Sequence, residues 1–172
     1  MRYGFKKSMA LTLMVLMLTV FMAVPAFAQT VSATVTFNHF EDEISSESIS
    51  FDTNGFITLF DVPAGATHQY LNQPTVMDAV IQSLTNLGVE EDSPVYWDTS
   101  RNPNGAYISS IFGEDTETID YFYSSIPGAS YWKGNTWVLY IDGEEAAFYA
   151  SNILLNEVDN IEFSYEYVET YW

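Results

Sequence analysis

The chain of 172 residues contains no cysteine. Neither a disulfide nor a thiolate-held metal can therefore stabilise it. Cations are scarce as well: 5 Lys and Arg stand against 23 Asp and Glu. Phosphate recognition draws on Lys and Arg, so nucleic-acid binding and docking on anionic membrane surfaces are excluded. His39 and His68 are the two histidines, and neither has a second ligand at zinc spacing, so each is expected to be solvated or hydrogen-bonded. There is no G-x-S-x-G elbow, no P-loop and no dinucleotide fingerprint. Choosing an acid/base pair from so many carboxylates would be arbitrary, and the chain reads as a non-enzyme.

One long apolar run is present, Met9–Val24. Arg2, Lys6 and Lys7 precede it, and Pro25 leads from it into the small-x-small triplet Ala26-Phe27-Ala28. A spanning helix needs about 20 apolar residues, so this pattern reads as an export signal over residues 1–28, cleaved after Ala28. The expected product, Gln29–Trp172, is one domain that is secreted, extracellular or associated with a cell surface. With Gln at position 29 and no cysteine, a lipid anchor on a cysteine is excluded. The product keeps Arg101 and Lys133 against all 23 carboxylates.

That charge suits the solubility of an exported protein, and clustered oxygens would also suit a hard cation such as calcium. The clusters are Glu41-Asp42-Glu43, Glu90-Glu91-Asp92 and Glu114-Asp115-Thr116-Glu117. None has the spacing of a calcium loop. Asp52-Thr53-Asn54-Gly55 comes nearest and lacks the remaining ligands, so no metal site is assigned and the clusters are read as solvated loops.

What is present is β-rich. Val31–Phe40 alternates Val31, Ala33, Val35 and Phe37 with Ser32, Thr34, Thr36 and Asn38, the pattern of a half-buried strand. Glu41–Glu47, acidic and serine-rich, reads as a loop. Ile49–Asp61 reads as a hairpin about Asn54-Gly55, or as one bulged strand. Pro74–Leu87 reads as the single helix, with Thr75 and Asp78 as a capping box, Val76, Ala79, Val80, Leu84 and Leu87 on one face, and Gly88 as its stop. Glu90–Asn104 reads as a Pro-bounded loop. Gly105–Gly113 reads as a strand with Tyr107, Ser109 and Ile111 on one face, and Glu114–Lys133 gives no clear pattern. Thr136–Ile141 turns at Asp142-Gly143 into Glu144–Phe148, and Ile161–Val168 forms the last strand, whose Tyr171-Trp172 end would be an exposed edge. With one apolar stripe, the helix must lie on the sheet.

Aromatics make up 16% of the chain. Tyr96-Trp97 in its loop, and Tyr131-Trp132 between Gly128 and Gly134, are placed to stack on a sugar or a flat ligand. Lys133 beside them could orient an anionic group. These five are the candidate ligand-binding residues; Trp137, Tyr140, Phe163 and Tyr165 read as core and sheet-surface rings.

Three stretches carry a family resemblance. Pro74-Thr75-Val76-Met77-Asp78-Ala79-Val80 resembles the helix start of the transcobalamin-type C-terminal domain. Ala106–Gly113 is similar to that family's middle strand, and Trp137-Val138-Leu139-Tyr140-Ile141-Asp142-Gly143-Glu144 resembles its aromatic strand running into Asn-Gly-Glu. The match covers Val31–Tyr167, with insertions at Ser45–Asn54 and Gly113–Tyr131. Asp142 replaces a common Asn, and Asp159-Asn160 replaces the usual Gly-Asp turn. The resemblance implies an α+β, β-grasp-like fold with one helix packed on a mixed sheet of four or five strands. It implies an exported, non-catalytic binding module for a small ligand, with cobalamin as one possible ligand, or for a surface protein partner. Vertebrate carriers of the family close this domain over a corrinoid beside a helical domain, which has no counterpart in this sequence. The other reading is a cell-surface adhesion or assembly module acting through an exposed edge strand.

Overall fold

The computed structural model describes residues 29–66, 68, 70–100 and 103–172. The expected export signal lies outside them. Among the described residues no helix is long and apolar enough to cross a membrane.

The first strand, β1 (Thr30–His39), buries Val31, Ala33, Val35 and Phe37. Phe40, in the left-handed region at φ 55°, turns the chain into β2 (Asp42–Asp52), which pairs antiparallel with β1. The acidic segment read as a loop is thus most of a strand. Its position explains its composition. β2 is an edge strand, Ser46, Ser48, Ser50 and most of its carboxylates face water, and charges on an edge deter unwanted pairing. Glu47 points the other way and accepts from Ser83 Oγ at 2.6 Å and Asn86 Nδ2 at 3.1 Å on the helix.

Asn54-Gly55 is a turn, yet no hairpin follows it. Asp52 Oδ1 accepts from Asn54 N at 2.8 Å and Gly55 takes φ 73°, which carries the chain off the sheet. It crosses to the layer of α1 (Val76–Leu87). Thr75 and Asp78 form the reciprocal capping box, and Gly88 ends the helix at φ 73° with its N–H on Leu84 and Thr85 carbonyls. Val76, Met77, Ala79, Val80 and Leu84 are buried, whereas Leu87 at the last turn is exposed. Asp78 is itself fully buried. Its carboxylate accepts from Thr75 N (2.8 Å), Thr75 Oγ1 (2.6 Å) and Leu59 N (2.8 Å), so it fastens the 56–66 crossing to the helix start. Burial pushes its pKa up against the pull of those hydrogen bonds.

The segment read as a loop at 90–104 also holds structure. After a 3-10 turn at Glu90–Asp92, β3 (Val95–Asp98) pairs with β4 (Gly105–Ile108). The expected continuous strand breaks at Ser109, and Gly105, Ala106, Ile108, Ser110 and Ile111 are buried, with Tyr107 outside. β5 (Ser110–Ile111) and β6 (Glu114–Asp115) flank a turn with both central residues at positive φ, Phe112 at 55° and Gly113 at 79°. A bulky residue there costs about 1–2 kcal/mol. Phe112 offsets that by packing edge-on against Phe37 at 5.4 Å and near Trp137 at 6.3 Å.

The remaining strands are β7 (Glu117–Phe122), β8 (Tyr131–Ile141), β9 (Glu144–Glu145) and β10 (Asn160–Tyr171). The main sheet runs β2-β1-β10-β8-β7, with short β9 alongside β8. β1 and β10 are parallel, and the other pairs are antiparallel. Among the described residues the fold is α+β, with one α-helix against a mixed sheet of five strands. β10 is therefore central along Asn160–Tyr165, which corrects its expected place at the edge. Between β8 and β9, Asp142 (φ 51°) and Gly143 (φ 87°) make the expected tight turn. Asp142 Oδ1 then accepts from Asp159 N at 3.2 Å and Asn160 N at 2.8 Å, so this carboxylate bolts the turn to the start of β10. Beyond Glu145 the chain leaves the sheet, where Glu144–Phe148 was expected to continue it.

Asp78→Ala would strand the buried N–H groups of Thr75 and Leu59. We expect a loss of about 2–4 kcal/mol in urea unfolding with an unchanged slope, and a smaller loss for Asp78→Asn.

Candidate functional site

The five candidate residues do not converge. Tyr96 and Trp97 sit on β3, and alternation sends them to opposite sides. Tyr96 faces outward and pairs with Tyr107 of β4, ring centroids 5.7 Å apart. Trp97 turns inward against Phe60 at 6.4 Å and His68 at 5.9 Å, and its Nε1 has no hydrogen-bond partner. Tyr131, Trp132 and Lys133 open β8, a paired strand where a glycine-flanked loop was expected. Tyr131 and Lys133 share one face and Trp132 takes the other. The Trp132 ring lies over Gly134, where an added Cβ would come within 2.6 Å of it and 2.0 Å of the Glu117 carbonyl, so only glycine fits. Its Nε1 donates to Thr118 Oγ1 at 2.9 Å.

Lys133 is committed to its neighbours. Its ammonium lies 3.0 Å from Glu169 Oε1, and 5.5 and 5.7 Å from the ring centroids of Tyr131 and Tyr171. The Glu169 contact chiefly holds its pKa above the ordinary lysine value. Glu169 also accepts from Tyr171 Oη at 2.6 Å and Tyr167 Oη at 2.9 Å. Those bonds, led by Tyr171, hold its carboxyl down at about 2. A free cation for an anionic ligand is therefore not on offer at this position.

A different concavity lies on the helix side of the sheet. The register sets Leu139, Phe163 and Phe37 side by side on that face, with Trp137 and Tyr165 in the next row. Over β1 and the first half of β10 the covering layer is closed. Over β8 it parts, leaving a cleft of about 370 Å³ floored by Met77, Trp137, Leu139 and Phe163. Tyr107, Phe148 and Tyr149 form its rim beside Asp98. Phe148 is 61% exposed at the mouth. Tyr149 is held in place: its ring packs on Gly105, where a Cβ would meet it at 2.6 Å, and its hydroxyl donates to Asp98 Oδ2. Thr116 and Thr136 line one end, their hydroxyls 2.9 Å apart. Apolar floor, aromatic rim and a few hydroxyls are the makings of a small-molecule pocket. None of the five predicted residues lines it, although Tyr96 and Trp97 pair with its lining residues Tyr107 and Ala106. Phe148-Tyr149 is an aromatic pair as visible in the sequence as Tyr96-Trp97, and its position after the β8–β9 hairpin is what sets it over the floor. None of the acidic clusters gathers a cation shell: among the described residues no group of three His, Cys, Asp or Glu could hold a metal ion.

The histidines also depart from expectation in part. His39 is partly exposed, stacked on Tyr165 at 5.4 Å and 3.9 Å from Glu114. His68 is buried against Phe60, and neither ring nitrogen has a hydrogen-bond partner. Burial lowers its pKa below 6.5, with Asp78 pulling weakly the other way. Folding therefore favours the neutral ring. That contribution is fully present above the unfolded value of 6.5 and is lost as pH falls through the lower folded value. His68→Phe should raise stability at about pH 7.5 by about 1 kcal/mol and flatten the fall in melting temperature between about pH 7 and pH 5, read by calorimetry. Among known proteins, no family model matches the chain, and no curated protein matches it.

Proposed function

We propose that Gln29–Trp172 is an exported β-grasp domain of the transcobalamin-type C-terminal kind, which holds a small ligand without catalysis. Several features support the fold assignment. The first and last strands lie parallel at the sheet centre, a capped helix crosses between the opening hairpin and the closing strands, and an aromatic strand runs into the Asp142-Gly143 turn. The two departures from the family pattern, Asp142 and Asp159-Asn160, meet each other through Asp142 Oδ1.

The cleft over β8 carries the functional reading. It is the right size for one small molecule, since ligand pockets run from about 300 to 1,000 Å³. Among the described residues Asp98 is its one carboxylate and accepts from Tyr149 Oη, no Lys or Arg lines it, and its rim is aromatic. These groups favour a neutral ring compound that stacks on Phe148 and Tyr107. A corrinoid is larger than the cleft and would lie across its mouth. Sugars and other compact rings fit within.

Trp137 in the floor gives the readout. A tryptophan-fluorescence titration of the purified protein with corrinoids, haem, oligosaccharides and calcium should give a saturable signal with one of the ring compounds. Phe148→Ala should weaken it about tenfold at unchanged melting temperature, and Trp132→Ala should leave it unaltered. Equal affinity in the Phe148 variant would remove the cleft as the site.

A further inference from the structure

The main sheet has a step in it. β1 pairs with β10 as far as His39 opposite Tyr165, and Phe40 N donates a last bond to the Tyr165 carbonyl at 2.8 Å. The chain then turns away, while β10 runs on through Glu166–Tyr171 with β8 on one side only. Alternate residues of a strand address opposite neighbours. The Tyr165 carbonyl faces β1, and Trp172 exchanges both backbone bonds with Ser130 on the β8 side at 3.1 and 3.2 Å. The N–H and C=O groups of Tyr167, Glu169 and Tyr171 therefore face the open side, where no described strand meets them.

The edges of the sheet differ in what they carry. β7 carries a bulge between Thr118 and Asp120, and β2 carries Asp42, Glu43, Glu47 and Asp52. The step has neither bulge nor proline nor lysine in its own strand, the devices that keep an edge from being paired. Beside it stand Tyr167, Tyr171 and Trp172, each about half exposed. Two carboxylates stand on its strand, Glu169 on the face of Tyr167 and Tyr171 beside Lys133, and Glu166 on the other face, accepting from Tyr140 Oη at 2.6 Å; Glu41, Asp42 and Glu43 follow Phe40, where β1 gives way to β2. Lys133, the only Lys or Arg among the described residues, already displays what this surface accepts, an ammonium between two tyrosine rings and a carboxylate.

From this we infer that Glu166–Tyr171 receives an extended segment of a basic protein partner as an added strand in line with β1, its alternate Lys or Arg side chains lying over Tyr167 and Tyr171 and against the surrounding carboxylates. Strand addition draws affinity from main-chain bonds and selectivity from alternate side chains. A second copy of the chain would bring like carboxylates together, and a net charge of −18 repels itself. The surface is separate from the cleft and does not depend on it.

Blocked peptides alternating Lys with Val, and Glu with Val, make the probes, and residue-resolved amide hydrogen exchange of the protein makes the readout. The Lys peptide should bind saturably and slow exchange at Tyr167, Glu169 and Tyr171. Val168 and Thr170, whose amides already face β8, should change little. The Glu peptide should bind about tenfold more weakly or not at all, and added salt should weaken the Lys peptide. Tyr167→Pro removes one outward N–H and leaves the β8 ladder intact, so it should cut Lys-peptide binding about tenfold at an unchanged melting temperature. Equal binding of both peptides, unchanged exchange at the three outward amides, or full binding by Tyr167→Pro would overturn the inference. So would protection of those amides in the protein alone together with a dimer in sedimentation velocity, which would give the step to a second copy.

Discussion

Parallel pairing between Thr34–His39 and Asn160–Tyr165 is the contact on which the other parts of this molecule depend. It joins positions as far apart as Asn38 and Glu162, whose side chains also bond at 2.7 Å across 124 residues of chain. Closing so long a loop costs conformational entropy before any contact returns it. With no cysteine to share that cost, the apolar face of the two strands carries it. Val35, Phe37, Ile161, Phe163 and Tyr165 are all buried there, and the helix, the β5–β6 hairpin and the buried residues Ala150 and Leu155 pack onto the platform they make. Trp137 Nε1 and Tyr165 Oη reach up to the carbonyls of Glu114 and Asp115, so the hairpin is fastened down by side chains of the sheet itself.

The covering layer is smaller than the sheet, and both proposed surfaces follow from that mismatch. The face that buries Trp137 and Tyr165 continues by alternation through Asn135 and Tyr167 to Lys133 and Glu169, then to Tyr131 and Tyr171. Along this one face the same strand pair passes from core, past the cleft, to open surface. Phe122, Tyr131 and Tyr171 keep the aromatic spacing of a core out where nothing covers them, with centroids 6.0 and 6.1 Å apart. A residue-by-residue hydrophobicity pattern does not change where cover ends, because the strand is the same strand on both sides of that line.

That continuity also explains which features were legible in the sequence. Signals complete within a few residues were readable: the Thr75–Asp78 capping box, Gly88, the Asp142-Gly143 turn and the alternation of β1. Asn54-Gly55 has the same local chemistry as a hairpin turn, but Asp78 holds the following segment on the helix layer, and that partner lies 19 residues from Leu59. The acidic run in β2 resembled a loop because one edge strand can be polar on nearly every side chain and still be held by its backbone ladder. Tyr96-Trp97 resembled an exposed pair because a short strand between prolines gives no period to count. The cleft residues come from seven separate segments, and only the tertiary fold assembles them.

The direction of the central strand pair has a mechanical consequence. β1 begins beside Gln29 and β10 ends at Tyr171, next to Trp172, and the two strands run the same way. Tension applied between those two ends would slide one strand along the other. Every hydrogen bond of the six paired positions would then bear load together, where an antiparallel pair pulled from one end peels open a bond at a time. A domain lacking any covalent cross-link thus has its most force-resistant ladder along the line joining Gln29 and Trp172.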